Sequence, residues 1–271
     1  MLYLCATPIG NLGDITLRVI DALQNCDAVY CEDTRQTAKL LNHLEIKKPV
    51  VSCHKHNEQF RAEELIARLK NGENICYCSD AGMPAVSDPG EVLVRSCIEH
   101  ELDFTVLPGA SAVLSAAVLS GLPMQPFTFF GFMPRDNKAQ AEMLETIRAC
   151  SHLCLLYESP HRIKATLNLL HEALGNVRAA VLRELTKKFE SAYRGTLKEL
   201  IDMFTDEPKG ECVIAVYPQR QALAPSDERL NLLLSELLKE RSVKDAAAIA
   251  SEVLELPKKL CYSRALILNQ E

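Results

Sequence analysis

Two short runs in the sequence pair a carboxylate with a cation at fixed spacing. In Glu158-Ser159-Pro160-His161-Arg162 the acid and the guanidinium stand four apart, and in Glu184-Leu185-Thr186-Lys187 the acid and the amine stand three apart. Each run follows an apolar stretch of the kind that ends a buried strand. A carboxylate placed there can accept a proton while the neighbouring cation holds an anion; the same spacing also makes an ordinary salt bridge. A third charged run, Cys31-Glu32-Asp33-Thr34-Arg35, ends another apolar segment. The longest polar interruption is Ser79-Asp80-Ala81-Gly82-Met83-Pro84-Ala85-Val86-Ser87-Asp88-Pro89-Gly90, with two Asp, two Ser, two Gly and two Pro in twelve residues. Its glycines admit close backbone approach, its prolines stiffen the path, and Asp80 at its start can take hydroxyls or a cationic amine. Its second part, Ser87 to Gly90, reads as the turn into the next helix. Strand-to-helix connections are usually two to six residues, so a loop of this length points to a ligand site.

The elements that must position these residues alternate in the α/β manner. Leu2 to Thr7 reads as a strand, followed by Pro8-Ile9-Gly10-Asn11-Leu12-Gly13-Asp14 and a helix from about Ile15 to Leu23. Strands are then expected at Ala28 to Cys31, Val50 to Cys53, Ile75 to Cys78 and Phe104 to Leu107, with helical periodicity between them and at Val113 to Ser120. Gly121-Leu122-Pro123-Met124-Gln125-Pro126 breaks both periodicities and marks a domain boundary. Beyond it, strands at Phe127 to Phe132, Leu153 to Tyr157, Val177 to Leu182 and Cys212 to Tyr217, with an extended Glu190 to Arg194, outnumber the helices and predict a mixed sheet. From Asp227 the chain reads as short helices, capped at Ser226 and Ser242 and started at Pro257, with the size of a helix-turn-helix over Ser242 to Arg264. The expected division is residues 1–121, 122–220 and 227–271.

Composition narrows the function classes. At 271 residues with 48% hydrophobic and 24% charged, the chain has room for a full core. A net charge of −6 carries no bulk signature of nucleic-acid binding. The eleven cysteines include no Cys-x-x-Cys pair, and Cys5, Cys31, Cys76, Cys78, Cys154 and Cys212 fall in expected buried strands, which reads as a reducing, cytoplasmic compartment. The N-terminus opens directly on a strand and no apolar run has the ~18 residues of a membrane span, so a soluble, unprocessed chain is expected. The first loop spaces its glycines as Gly-x-x-Gly and lacks the G-x-G-x-x-G fingerprint, which excludes a dinucleotide cradle there. Cys53, His54 and His56 are metal ligands by type but have no third partner nearby, so no metal is expected.

Taken together, Ala6 to Thr16, Cys31 to Arg35, Ser79 to Gly90, Pro108-Gly109-Ala110-Ser111-Ala112, Tyr157 to Arg162 and Arg183 to Lys187 resemble the tetrapyrrole methylase superfamily, and within it the branch that methylates the ribose 2′-hydroxyl of a cytidine in 16S rRNA. The resemblance implies a two-domain α/β fold with a small C-terminal helical domain, S-adenosylmethionine in the cleft between domains, a homodimer, and 16S rRNA within the small ribosomal subunit as partner. Carried over by position, it implies a cofactor wall of Pro8, Ile9, Asp80, Gly82, Met83, Val86, Ser111, Ala112, Tyr157, Leu185 and Gly210, Glu211 and Cys212. The chain departs from the superfamily pattern where Ser79-Asp80-Ala81 stands for a Gly-Asp-Pro type motif, and where Met83 replaces a common Thr.

For such a substrate, a carboxylate, Glu158 or Glu184, is the expected proton acceptor, with Arg162, Lys187 or Arg35 on the RNA phosphate. Arg35, Lys39, His54, Lys55, His56, Arg135, Lys138, Arg162, Lys187 and Lys188 all fall at or beside expected strand ends, where local cations could serve an acidic protein that binds RNA. The competing readings are a small-molecule methylase of tetrapyrrole type and a non-catalytic cofactor-binding adaptor acting through its helical tail.

Overall fold

The computed structural model describes residues 1–204, 209–218, 227–254 and 256–269. The cap expected at Ser226 lies outside the described residues. The chain divides into two compact units, one of residues 1–147 with 152–218 and one of residues 148–151 with 219–271.

The first sheet of the larger unit is built from β1 (Leu2–Cys5), β2 (Ala28–Cys31), β3 (Val50–Ser52), β4 (Ile75–Cys78) and β5 (Phe104–Leu107), in the order β3-β2-β4-β1-β5 with every pair parallel. Helices α1 (Leu17–Asn25), α2 (Thr34–His43), α3 (Glu58–Lys70) and α4 (Glu91–Glu99) connect them. A parallel sheet covered on both faces needs apolar residues at successive positions, which is why these strands read as unbroken hydrophobic runs. Leu2, Leu4, Tyr30, Ile75 and Tyr77 pack with Leu65 and Leu69 of α3 and Leu93 of α4, while Cys5, Val29, Cys31, Cys76 and Cys78 pack with Val19 and Leu23 of α1 and Leu41 of α2. Cys5, Cys78 and Cys31 share one register row across three strands. All six cysteines expected in strands are buried.

The second sheet contains β6 (Phe127–Phe132), β7 (Leu153–Glu158), β8 (Arg178–Arg183), β9 (Ser191–Thr196) and β10 (Cys212–Tyr217), in the order β6-β7-β10-β8-β9. Only the β6–β7 pair is parallel, so the sheet is mixed, as the strand-rich pattern predicts. Helices α6 (Asn137–Ala149), α7 (Ile163–Leu174) and α8 (Leu197–Met203) belong to this half; α8 opens on a reciprocal capping box between Thr196 and Glu199.

Helix α5 (Ala112–Ser120) comes before the Gly121–Pro126 break, yet its Val113, Ala116 and Ala117 pack on Leu153, Leu155, Leu182, Val213 and Ala215 of the second sheet. Small side chains let the helix approach that sheet closely. Gly121 ends it in the left-handed conformation, and Arg194 of β9 donates to the terminal carbonyls of Leu119 and Ser120. The chain changes sheets at residue 121 while the packing changes one helix earlier. On the change of sheet we propose a division of this unit at 121–122.

The smaller unit holds α9 (Asp227–Leu237), α10 (Val243–Val253) and α11 (Lys258–Leu268) around Leu234, Ala246, Ala250, Cys261 and Ala265. Ser242 caps α10 by accepting from the Asp245 backbone N–H, and Pro257 precedes α11, both as the sequence predicts.

One buried acid ties this scaffold to the long loop after β4. Glu58, at the first position of α3 and 6% exposed, accepts from the Gly90 backbone N–H at 2.7 Å and so fixes the end of the loop. Replacing Glu58 by Ala strands that buried N–H, with an expected loss of about 1–3 kcal/mol in denaturant unfolding.

Candidate active site

The loops at the carboxyl ends of the first sheet, with the ends of β6, β7 and β8 and the start of β10 from the second, enclose a cavity of about 340 Å³. Carboxyl ends of parallel strands are where open α/β sheets present ligands, and this volume falls in the range of small-molecule sites. The loop after β1 contributes Ile9; the loop after β4 contributes Ala81, Gly82, Met83, Val86, Ser87 and Asp88; the start of α5 contributes Ser111 and Ala112. From the second sheet come Phe132, Tyr157, Glu158, Ser159, Pro160, Leu185, Glu211, Cys212 and Val213.

The two loops of the first sheet are joined by backbone. Thr7 N donates to Gly82 O at 2.9 Å and Gly82 N to Thr7 O at 3.0 Å, an isolated antiparallel bridge. Thr7 Oγ1 donates to Ser79 O, and Ser79 Oγ to Gly82 O. Gly82 has φ +81, and a Cβ there would come 3.3 Å from Ile9 Cγ2, in the cavity wall.

Tyr157 forms the aromatic side of the cavity. Its ring meets Phe129 and Phe132 edge to face, at centroid distances of 4.7 and 5.4 Å. Burial holds its hydroxyl pKa up at about 12, with the Val113 backbone at the start of α5 pulling weakly against it.

The structure gives the expected catalytic residues internal partners. Glu158 is 2% exposed. It accepts from Thr166 Oγ1 at 2.6 Å and from Ser159 N at 2.8 Å, with Arg162 at 3.6 Å. Arg162 in turn donates to the carbonyls of Met133 and Pro134, fixing the chain after β6. Glu184 Oε1 receives Lys187 Nζ at 2.9 Å and Glu211 N at 3.0 Å, and Lys187 Nζ also reaches Glu211 Oε2 at 2.9 Å. The Glu184 carboxylate lies against Gly210, and the stem of Lys187 against Gly10. Lys187 first, then the Glu211 N–H, holds the Glu184 carboxyl below its usual range; burial disfavours the Lys187 charge, but Glu184 and Glu211 outweigh it and raise its pKa. Carboxylates saturated with donors in this way are weak proton acceptors. Both pairs therefore read as struts, and Glu184, Lys187 and Arg162 do not line the cavity. Arg35 is likewise engaged, by Asp33 at 2.7 Å.

Of the expected cofactor wall, Ile9, Gly82, Met83, Val86, Ser111, Ala112, Tyr157, Leu185, Glu211 and Cys212 face the cavity, whereas Pro8, Asp80 and Gly210 do not. Asp80 points to the loop after β2, where its Oδ1 accepts from Asp33 N at 3.0 Å. The sequence reading leaves out Ala81, Ser87, Asp88, Phe132, Ser159, Pro160 and Val213. For Ala81, Ser87 and Asp88, in the overlong loop, and for Ser159 and Pro160, inside the Glu158 to Arg162 run, the signal was present; Phe132 and Val213 depend on strands that meet only in the fold.

Charge on the wall is one-sided. Asp88, Glu158 and Glu211 line the cavity, and among the described residues that line it there is no Lys, Arg or His. Behind Asp88 stand Asp80 and Glu32, and burial together with these neighbours raises Glu32 to about 6.

The family model of Tetrapyrrole (Corrin/Porphyrin) Methylases matches residues 1–201, and that of the RsmI C-terminal HTH domain matches residues 224–269. Ribosomal RNA small subunit methyltransferase I of Synechocystis sp. is 41% identical over 100% of this chain and 99% of its own length. The protein of that name from Vibrio cholerae is 43% identical over 98% of this chain and 94% of its own. The chain belongs to the ribosomal RNA small subunit methyltransferase I family. As a member of that family it is a methyltransferase, on the tetrapyrrole methylase fold. Among solved structures, diphthine synthase (TM-score 0.63, 18% identity, 80% of this chain and 89% of that one) and the methyltransferase CobJ (0.60, 18%, 80% and 93%) share that fold.

Two outcomes are expected from this geometry. Gly82→Ala forces a side chain into the left-handed region, with an expected loss of about 1–2 kcal/mol in unfolding and weaker ligand binding through Ile9. Lys187→Met removes the cation between Glu184 and Glu211, with an expected cost of about 1–2 kcal/mol at neutral pH. Because the folded Glu184 pKa is depressed, its contribution is present above the ordinary carboxyl range and lost as pH falls through the lower folded value. Melting curves of the two proteins should therefore converge in acid.

Proposed function

We propose that the cavity binds S-adenosylmethionine and that the protein transfers its methyl group to the 2′-hydroxyl of a cytidine ribose in 16S rRNA of the small ribosomal subunit. The observation that carries this reading is the full-length match to proteins named for small-subunit rRNA methylation, joined to a cavity whose donor set suits that cofactor. S-adenosylmethionine brings a sulfonium and an ammonium, and the wall offers carboxylates and no cation. Its flat base suits the apolar surfaces of Ile9, Met83, Ala112 and Leu185.

When bound, the cofactor supplies an electrophilic methyl group; the chain's task is to hold the ribose hydroxyl in line behind it. We assign Glu158–Arg162 and Glu184–Lys187 to positioning: the first holds the chain at Met133 and Pro134, the second holds Leu185 and Glu211 at the cavity edge. Lys55 and Lys188 stand exposed at loop positions where RNA phosphate could reach them. The helical unit, matched by the HTH model, is a second candidate contact. We further propose a cytoplasmic homodimer. No helix among the described residues is long and apolar enough to cross a membrane. Leu114 and Val118, 53% and 67% exposed and one turn apart on α5, form an apolar stripe that a second copy would cover.

The test is incubation with labelled S-adenosylmethionine and undermethylated small subunits, followed by mapping of the label. A single 2′-O-methylcytidine is expected; label on a base, on protein or on a free tetrapyrrole would overturn the reading. Transfer should also slow as salt rises from about 50 to 200 mM while cofactor binding changes little, since phosphate contacts carry the salt dependence.

A further inference from the structure

The cavity wall carries carboxylates and, among its described residues, no cation, so the polyanionic substrate proposed above must be held outside it. The loop from Glu184 to Glu190, between β8 and β9, leads there. It puts Leu185 in the cavity wall and then turns twice, with Lys187 N donating to Glu184 O and Glu190 N to Lys187 O, both at 3.0 Å. Thr186 N donates to Glu190 Oε2 at 2.7 Å, and the carbonyl of Phe189 accepts from Arg183 Nη2 at 3.4 Å and from Ser191 Oγ at 3.5 Å. With its backbone fixed at these points, the loop leaves Phe189 65% exposed. Lys188 Nζ stands 5.6 Å from the ring centroid, at cation–π distance, and among the described residues no ion pair or hydrogen bond takes up its charge.

We infer that Phe189 and Lys188 form a docking platform for an unpaired nucleotide flanking the methylated cytidine: its base stacks on the ring and Lys188 takes a phosphate. The inference rests on the reading of the protein as an RNA methyltransferase. Four residues of chain separate Phe189 from Leu185, and such a length reaches at most about 14 Å. Phe189 is outside the cavity wall yet within that reach of it, which sets it against a neighbour of the reacting nucleotide.

A single exposed phenylalanine carries no meaning by itself; the setting distinguishes this one. Every base has a π-face, and a ring held on a braced loop receives it with little further loss of freedom. A phosphate accompanies each base, so a cation beside the ring meets both groups of one nucleotide. Phe60 supplies the contrast. It is 67% exposed with the Arg61 guanidinium 5.8 Å from its ring centroid, but Arg61 is taken up by the Ser52 carbonyl and the Glu64 carboxylate. Phe60 also stands in α3, none of whose residues lines the cavity.

The experiment compares wild type with Phe189→Ala, Phe189→Leu, Phe189→Trp and, as control, Phe60→Ala. KM and kcat are measured on undermethylated small subunits at saturating S-adenosylmethionine, with cofactor affinity by calorimetry and oligomeric state by sedimentation on the same samples. Loss of one stacked base is expected to raise KM for the subunits about 5- to 150-fold in Phe189→Ala and Phe189→Leu. Cofactor affinity and kcat should stay within about twofold, which also reports that the variants are folded. Phe189→Trp should keep the wild-type KM, as should Phe60→Ala, and Lys188→Gln should lower the salt slope of binding by about one. The chain has no tryptophan, so Phe189→Trp also adds a single fluorophore whose emission a stacked base quenches when subunits are added. A Phe189→Ala KM within about twofold of wild type, a Phe189→Leu that matches wild type, or unquenched emission at saturating subunits overturns the inference. So does a KM rise that follows dissociation of the protein into monomers, which would make the ring a contact between copies. Should wild type itself place no methyl group on ribose, the functional reading fails and the inference with it. An active wild type beside an equally effective Phe189→Ala refutes the inference alone.

Discussion

Two hydrogen bonds between Thr7 and Gly82 carry more of this structure than their number suggests. They join the loops that leave the neighbouring strands β1 and β4, and they do so with backbone, at a φ that glycine adopts without strain. Everything on the first-sheet side of the cavity is referred to that joint: Ile9 on one loop, Met83, Val86 and Asp88 on the other. Ser79 and Thr7 brace it with their hydroxyls, and Glu58 secures the far end of the longer loop. A twelve-residue polar loop loses much conformational entropy on ordering, and these contacts along its length supply the compensation.

The opposite wall is held by different means. Along Glu184 to Thr186 the chain takes positive φ at both Glu184 and Thr186, with Leu185 between them facing the cavity. Such backbone persists where the surroundings determine it, and here the Lys187 strut between Glu184 and Glu211 does so. Helix α5 spans the two halves: its first residues face the cavity, its body packs on the second sheet, and Arg194 holds its last carbonyls.

Much of the fold could be read from the chain because its physics is local. Unbroken apolar runs such as Ile75 to Cys78 follow from burial on both faces, and Gly/Pro punctuation at Gly121 to Pro126 separates the two sheets. The cavity wall was legible chiefly through motif resemblance, since nothing in a one-dimensional pattern says that Tyr157 and Met83 line one cavity. Where inference from residue type failed, the reason is the same. Glu158 and Glu184 look like available acids in sequence with a cation beside each, but Thr166 and the Glu211 N–H, which complete their occupation, come from outside the two runs. Asp80 reads in sequence as aimed at a ligand, whereas in the fold it accepts from the loop after β2. Asp88, read only as part of a turn, gains its setting from strands of both sheets.

The one-sided charge of the cavity has a consequence for turnover. In the proposed reaction the occupant enters with a positive sulfur and departs with a neutral one, while the carboxylates around it stay where they are. A wall of acids without a cation thus attracts the reagent more strongly than the spent form. The electrostatics that favour loading weaken at the moment of transfer, which favours exchange of the spent form for fresh reagent.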